Sequence, residues 1–101
     1  MKNIIIKQTL HTLKKYNIHD IKISWIKSNR HIFGEACYQR RFINYNENLL
    51  RQEQGEIKFT ILHEISHIVA NKLHGYNCDH DKNWRTIANY IFNHNNINLI
   101  Q

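Results

Sequence analysis

The sequence predicts a small α+β domain, because two kinds of apolar periodicity occupy separate parts of the chain. Apolar residues recur at helical spacing near the N-terminus and through the second half of the chain. Between about residues 21 and 45 they alternate with polar residues or form short runs, as strands do. Because there are no prolines and three glycines, these periodicities, rather than chain-breaking residues, set the element boundaries.

The first predicted element is an N-terminal helix over residues 3–16. Ile6, Leu10 and Leu13 fall at helical spacing there, with lysines elsewhere around the helix. Residues 21–25 then alternate apolar and polar side chains, which predicts a strand.

Two further short strands are predicted after a polar turn at residues 27–30. Gly34 introduces the segment 35–45, which is rich in aromatic and apolar residues on both sides of Arg40-Arg41. We expect these strands to form a short antiparallel sheet of about three strands. Residues 46–54 look like a short helix or turn.

The central helix is predicted from Glu56 to about Leu73, and a C-terminal helix follows a polar loop. In the central helix, isoleucines form one apolar stripe at about 100° per residue: Ile57, Ile61, Ile65 and Ile68. Asp81 can cap the C-terminal helix. Its apolar residues follow the i, i+3, i+4, i+7, i+8 pattern: Trp84, Ile87, Ala88, Ile91 and Phe92.

Length and composition fit one domain over residues 1–101. Apolar residues make up 42% of the chain, too many for a disordered protein, and no apolar run approaches the ~18 residues of a membrane span. The N-terminal apolar run is too short for a signal peptide. We therefore expect a soluble intracellular protein, cytoplasmic or nuclear, without a membrane partner. Cys37 and Cys78 form no C-x-x-C pair, which indicates reduced thiols.

Residues 63–67 carry the motif H-E-x-x-H within the predicted central helix. Histidines at i and i+4 lie on one helix face, so His63 and His67 can bind one Zn²⁺ through their ring nitrogens. Glu64 leans toward the same metal, where it can take a proton from a zinc-bound water whose pKa the metal lowers to about 7. Both histidines lie opposite the isoleucine stripe, which favours a metal site over a chance match.

A catalytic zinc needs a third protein ligand and one open position. Four residues beyond the motif are candidates: His74, Cys78, Asp79 and His80. His74 lies about 10 Å further along the same helix, which is too far unless the helix ends early. No glutamate follows Glu64, and the metzincin spacing is absent. His80 fits best, because Gly75 ends the helix and the loop returns before the next one.

The chain resembles the SprT-like (Spartan-type) zinc metallopeptidases in two segments separated by a spacer. These are the H-E-x-x-H motif and residues 80–84, His-Asp-Lys-Asn-Trp. In that family a third histidine is followed four residues later by an aromatic residue, here Trp84. Residues 34–38 and 42–50 are similar to the family's strand pair and its Ile-x-x-Asn-x-x-Leu region. The resemblance covers about residues 3 to 93, and we expect one SprT-like domain without the C-terminal zinc ribbon that many members carry.

The resemblance implies a zinc-dependent endopeptidase that acts in DNA repair on proteins bound or crosslinked to DNA. Its partners would be a protein substrate and DNA, preferably single-stranded. The formal net charge of +6 is consistent with an acidic partner. Basic residues interleaved with aromatic ones around the strands are the candidates for nucleic-acid contact: Trp25, Lys27, Arg30, Arg40 and Arg41.

Within the peptidase hypothesis, His74 and Tyr76 are candidates for stabilising the oxyanion, and the substrate would lie extended along a strand near Glu35 to Tyr38. Two other hypotheses stay open. Phe59-Thr60 before the motif also resembles the repressor-cleaving (ImmA/IrrE-type) peptidases, which use a downstream glutamate ligand. A non-catalytic, zinc-stabilised nucleic-acid-binding module would instead close the fourth zinc position, for example with Cys78.

Overall fold

The computed structural model describes residues 1–27 and 30–95, so part of the predicted turn at residues 27–30 lies outside the described residues. The predicted α+β class is confirmed, and the N-terminal, central and C-terminal helices are present. In chain order the elements of the described residues are α1 (Lys2–Lys15), β1 (Lys22–Trp25), β2 (Gly34–Cys37), β3 (Phe42–Tyr45), α2 (Glu47–Gln52), a 3-10 turn (Gln54–Glu56), α3 (Ile57–His74) and α4 (Lys82–His94).

The three strands form one mixed sheet in the order β1-β3-β2. The β2–β3 pair is antiparallel, as expected, whereas β1 runs parallel to β3. Ile43 and Tyr45 on β3 are fully buried, so β3 takes the centre of the sheet and the chain passes from β1 to the far edge before returning. Among the described residues β2 is consequently an edge strand, with only one of its sides paired with another strand.

Along most of α1, the buried positions lie one residue earlier in the sequence than the predicted ones. The helix buries Ile5, Thr9 and Leu13, whereas Leu10 is 47% exposed. The hydroxyl groups of Thr9 and Tyr45 form a buried hydrogen bond of 2.9 Å, which anchors α1 to the central strand. A count of apolar residues alone overlooks a buried threonine that is satisfied in this way.

Helix α3 lies at the centre of the domain, between α1, β2 and α4. The predicted stripe is confirmed at Ile61, Ile65 and Ile68, which are all buried, whereas Ile57 at the start of the helix is half-buried. The helix also buries residues on other faces, including Leu62 and Ala70. Although α3 has 18 residues, neither it nor any other helix in the described part of the chain is long and apolar enough to cross a membrane.

Helix α4 begins at the predicted cap. The side chain of Asp81 accepts a hydrogen bond of 3.0 Å from the backbone N–H of Trp84. The apolar face of α4 then packs on α3, with four residues buried: Trp84, Ala88, Ile91 and Phe92. This packing fixes where the start of α4, and the loop before it, meet the motif helix.

Candidate metal centre

Three imidazole rings converge on one point beside α3. The Nε2 atom of His80 lies 3.1 Å from Nε2 of His63 and 3.1 Å from Nε2 of His67. A tetrahedral zinc ion with Zn–N bonds of about 2.0–2.1 Å separates its nitrogen ligands by roughly 3.3 Å. The three histidines therefore lie close enough to hold one metal ion, and their spacing is compatible with zinc.

The protonation state of two of these rings suits a metal ligand. Burial, with a smaller contribution from nearby His80, lowers the pKa of His63 to about 4. Burial, followed by the neighbouring His63 and His80, lowers the pKa of His67 to about 3. Both rings are thus neutral near pH 7, and a neutral imidazole can offer its nitrogen lone pair to a metal without first losing a proton.

Trp84 packs against all three rings. Its ring centroid lies 5.0 Å from that of His63, 5.2 Å from that of His67 and 4.7 Å from that of His80. Because Trp84 is buried at the start of α4, it is a rigid wall rather than a mobile surface group. The aromatic residue identified by the family resemblance thus packs against all three converging histidines.

The loop between α3 and α4 brings His80 back to the motif helix. Gly75 ends α3 in the left-handed region with φ of 76°, where a glycine is unstrained. The side-chain oxygen of buried Asn71 then accepts a hydrogen bond of 2.9 Å from the backbone N–H of Cys78. Asp81 caps α4 directly after His80. The helix end at Gly75, the hydrogen bond from Cys78 and the cap at Asp81 therefore position a ligand that lies 13 residues beyond the motif.

Glu64 is buried beside the histidines and is 5% exposed. Burial, with a smaller contribution from Glu35, raises its pKa to about 8. Glu35 is held in turn by Arg30 at 3.1 Å and by the amide of Asn44 at 3.1 Å. A cation at the three histidines would oppose this rise in pKa, because a nearby positive charge favours the carboxylate.

Edge strand β2 forms one wall of the cleft at the metal centre. The cleft has a volume of about 230 Å³, and its lining comprises the motif side chains, the start of β2 and the return loop: Gly34, Glu35, Ala36, His63, Glu64, His67, Asn77, Asp79 and His80. Sequence reasoning missed Asn77 and considered Asp79 only as a metal ligand. The positive φ of 47° at Asp79 marks a tight turn that periodicity does not reveal.

Neither candidate for oxyanion stabilisation lies in that lining. His74 is the exposed last residue of α3. The hydroxyl of Tyr76 donates to Asp81 at 3.0 Å and accepts from the side chain of Asn83 at 2.8 Å. The tyrosine therefore holds the start of α4, and its hydroxyl already has two partners.

Cys78 is buried away from the group of converging nitrogens. Its thiol lies 3.7 Å from the backbone oxygen of Ala70, and burial raises its pKa. Within residues 1–27 and 30–95, the group with metal-binding geometry consists of three histidines without a cysteine. Three protein ligands would leave one coordination position of a tetrahedral metal ion for water.

Two of the basic residues that were candidates for nucleic-acid contact are paired with acids. Arg30 contacts Glu35 at 3.1 Å, and Arg41 contacts Asp20 at 3.0 Å. Trp25 is half-buried and packs near Tyr45. The exposed candidates that have no acidic partner among the described residues are Lys27 and Arg40.

The fold and the three histidines define a small α+β domain with a metal-type centre between its motif helix and the following loop. The chain belongs to the SprT-like family, whose model matches residues 3–100. No match was found among curated proteins or among solved structures.

Proposed function

We propose that this protein is a zinc-dependent endopeptidase. The observation that carries the proposal is a buried carboxyl group, Glu64, next to three converging imidazole nitrogens and an edge strand. Membership of the SprT-like family is consistent with this activity.

In this proposal, His63, His67 and His80 hold the zinc ion. When bound, zinc supplies a Lewis acid that polarises a peptide carbonyl and acidifies water. Glu64 is the general base: a carboxylate oxygen takes the proton from the attacking water as the water oxygen bonds to the carbonyl carbon. The same oxygen then returns the proton to the amide nitrogen as the carbon–nitrogen bond breaks.

The substrate would add to the free edge of β2 as an extended strand. Gly34, Glu35 and Ala36 line the cleft, so a peptide paired with them lies across the metal centre. No strand in the described part of the chain pairs with β2 on this side, so its backbone can form hydrogen bonds with substrates of different sequence. This arrangement suits an endopeptidase that acts on unfolded segments.

We propose further that the substrates are proteins bound or crosslinked to DNA. The net charge of +6 and the exposed cations Lys27 and Arg40 support an approach to single-stranded DNA. Arg30 and Arg41 would contribute less, because their carboxylate partners already offset their charge. The proposed DNA interface therefore includes fewer basic residues than the sequence alone suggested.

The two alternative functions have less support. A repressor-cleaving peptidase with a glutamate ligand does not match a centre whose third nitrogen comes from His80. A structural zinc module does not need a buried carboxyl group at the open position, and Cys78 does not join the ligand group.

The experiment that tests the peptidase compares wild type with Glu64→Gln. Both proteins are loaded with zinc, their metal content is measured, and cleavage of an unstructured casein is followed. The variant should keep zinc and fold but lose activity by about 10²- to 10⁴-fold, because an amide cannot accept the proton. Glu53→Gln, at an exposed glutamate before α3, is the matched control and should cleave like wild type. Undiminished turnover by Glu64→Gln would refute the mechanism.

A further inference from the structure

A second cavity adjoins the metal cleft at the N-terminal end of α3. It has a volume of about 390 Å³, within the usual range of ligand pockets. It shares Gly34, His63 and Glu64 with the metal cleft, so the two spaces meet at the proposed general base. Its lining also includes residues from the segment before β2 and from the start of α3: His31, Ile32, Phe33, Glu56 and Phe59.

The walls of this cavity are mainly apolar and include a partly exposed aromatic ring. Phe59 is 40% exposed although its ring stacks on His63 at 6.1 Å and meets Phe92 edge-on at 5.1 Å. These contacts hold the ring in place while one part of it faces the cavity. Ile32 and Phe33, both half-buried, extend the apolar surface. A fixed apolar surface open to solvent beside a buried carboxyl group is typical of a binding site.

Gly34 keeps the two spaces connected. A Cβ atom at this position would lie 3.2 Å from Oε2 of Glu64 and 3.1 Å from the backbone oxygen of Asn44. Any other residue would therefore press on the carboxyl group and narrow the passage between the cavities. A peptide on the edge of β2 can thus direct one side chain past Gly34 into the second cavity.

We propose that this cavity is a specificity pocket for an apolar side chain, of leucine or phenylalanine type, on the substrate residue next to the scissile bond. The inference rests on the proposed peptidase function and adds the substrate class. A basic side chain would gain little from the acidic Glu56 at this cavity, because that carboxyl group is exposed and solvent screens its charge. An acidic side chain would meet Glu64 at the point where the two cavities join.

The test measures binding without turnover. Two dipeptide hydroxamates, identical except for an isobutyl or a methyl side chain, are titrated by calorimetry into the zinc-loaded protein, whose zinc the hydroxamate group can chelate. The isobutyl compound should bind roughly ten- to sixty-fold more tightly, because each buried methylene contributes about fourfold. Phe59→Ala and Ile32→Ala should each reduce this preference several-fold, and Phe59→Leu should restore most of it.

Tyr90→Ala is the matched control, because Tyr90 is an aromatic residue on α4 that is 49% exposed and lies outside the cavity lining. It should leave the preference unchanged. Equal binding of the two compounds, or a preference that survives both cavity variants, would overturn the pocket. If the zinc-loaded protein shows this binding preference but cleaves no protein, the specificity pocket is supported and the proposed peptidase function is overturned. Cleavage with no residue preference beside the cut would support the peptidase and overturn the specificity pocket.

Discussion

The side-chain oxygen of Asn71 accepts a hydrogen bond of 2.9 Å from the backbone N–H of Cys78, and this bond ties the motif helix to the loop that carries His80. Asn71 is 1% exposed, so the bond is shielded from solvent. The position of the third histidine therefore depends on a residue that contacts no metal.

Replacing Asn71 with Ala should weaken both the fold and zinc binding. A buried N–H without a partner costs about 1–3 kcal/mol, and a misplaced His80 lowers zinc affinity as loss of an outer-shell contact does, by about 10- to 100-fold. Urea denaturation and competition with a zinc-binding dye measure the two effects. Asn48→Ala, at an exposed asparagine on α2, should change neither. Unaltered zinc affinity in Asn71→Ala would show that the loop is held by its other contacts alone.

His80→Ala should lower zinc affinity by more than about 100-fold, because losing a ligand costs more than losing the group that orients one. Cys78→Ala is the comparison, since its thiol is buried two residues away and lies outside the group of three nitrogens. That variant should retain zinc at close to one ion per chain, measured by elemental analysis of protein purified with excess metal. If instead Cys78→Ala lost zinc and His80→Ala kept it, the third ligand would be misassigned.

Gly34→Ala should reduce activity more than it reduces zinc binding. The added methyl group would lie 3.2 Å from Oε2 of Glu64, so the carboxyl group or β2 must shift. Overpacking of this kind costs about 1–3 kcal/mol of stability. At Gly55 an added Cβ meets nothing within 4 Å, so Gly55→Ala should leave stability unchanged or raise it by up to about 1 kcal/mol. Thermal unfolding, zinc affinity and casein cleavage are measured for both variants. The prediction would be contradicted if Gly34→Ala behaved like Gly55→Ala, or if it lost zinc affinity as strongly as activity.

The metal-free protein should be most stable near pH 6.5. Because burial raises the pKa of Glu64 to about 8, its protonated form contributes stability that is lost as the pH rises through that value. The pKa values of His63 and His67 are lowered to about 4 and 3, so their neutral forms contribute stability that is lost as the pH falls below 6.5. The histidines therefore lower the free energy of unfolding on the acid side of pH 6.5, and Glu64 lowers it on the alkaline side. The free energy of unfolding has its maximum between these two declines.

Urea denaturation of chelator-treated protein at pH 5, 6.5 and 8.5 measures this profile. Glu64→Gln should remove the decline above pH 6.5 and keep the acid limb, because glutamine has no proton to lose. Glu53→Gln should follow wild type, since that glutamate is exposed. A decline of equal size in Glu64→Gln above pH 6.5 would mean that another group is responsible.

Features set by neighbours along the chain could be predicted from the sequence. The cap at Asp81, the apolar face of α4 and the shared helix face of His63 and His67 each depend on residues within a few positions. The position of His80 near the motif helix could also be predicted, because Gly75 marks the helix end and the loop is short.

Features that join distant segments could not be predicted in the same way. Thr9 is buried because it meets the hydroxyl of Tyr45, 36 residues away, and an apolar pattern does not register that pairing. The parallel pairing of β1 with β3 depends on which strand takes the centre of the sheet. The cavity beside Phe59 forms only where the segment before β2 meets the start of α3.

Binding to single-stranded DNA should depend on Arg40 more than on Arg41. Arg41 is 3.0 Å from Asp20, so part of its charge is already offset, whereas Arg40 is exposed and contacts only the ring of Phe42 among the interactions of the described residues, at 5.9 Å. A phosphate contact releases counterions, and each contributes about −0.7 to the log–log slope of affinity against salt on single strands. With Lys27 and Arg40 as the two main contacts, the slope should be about −1.4.

A salt titration of oligonucleotide binding by fluorescence anisotropy tests this interface. Arg40→Glu should flatten the slope by roughly half, since one of two phosphate contacts is lost, while Arg41→Glu should change it less. Arg85→Glu makes the same charge change at an exposed position on α4 and should leave the slope close to that of wild type, which separates a local contact from an effect of net charge. Zinc content should be unchanged in all three variants, because none of these arginines belongs to the metal group. Equal effects at the three positions would show that only overall charge matters, and no binding at low salt would leave a peptidase that reaches its substrate without touching DNA.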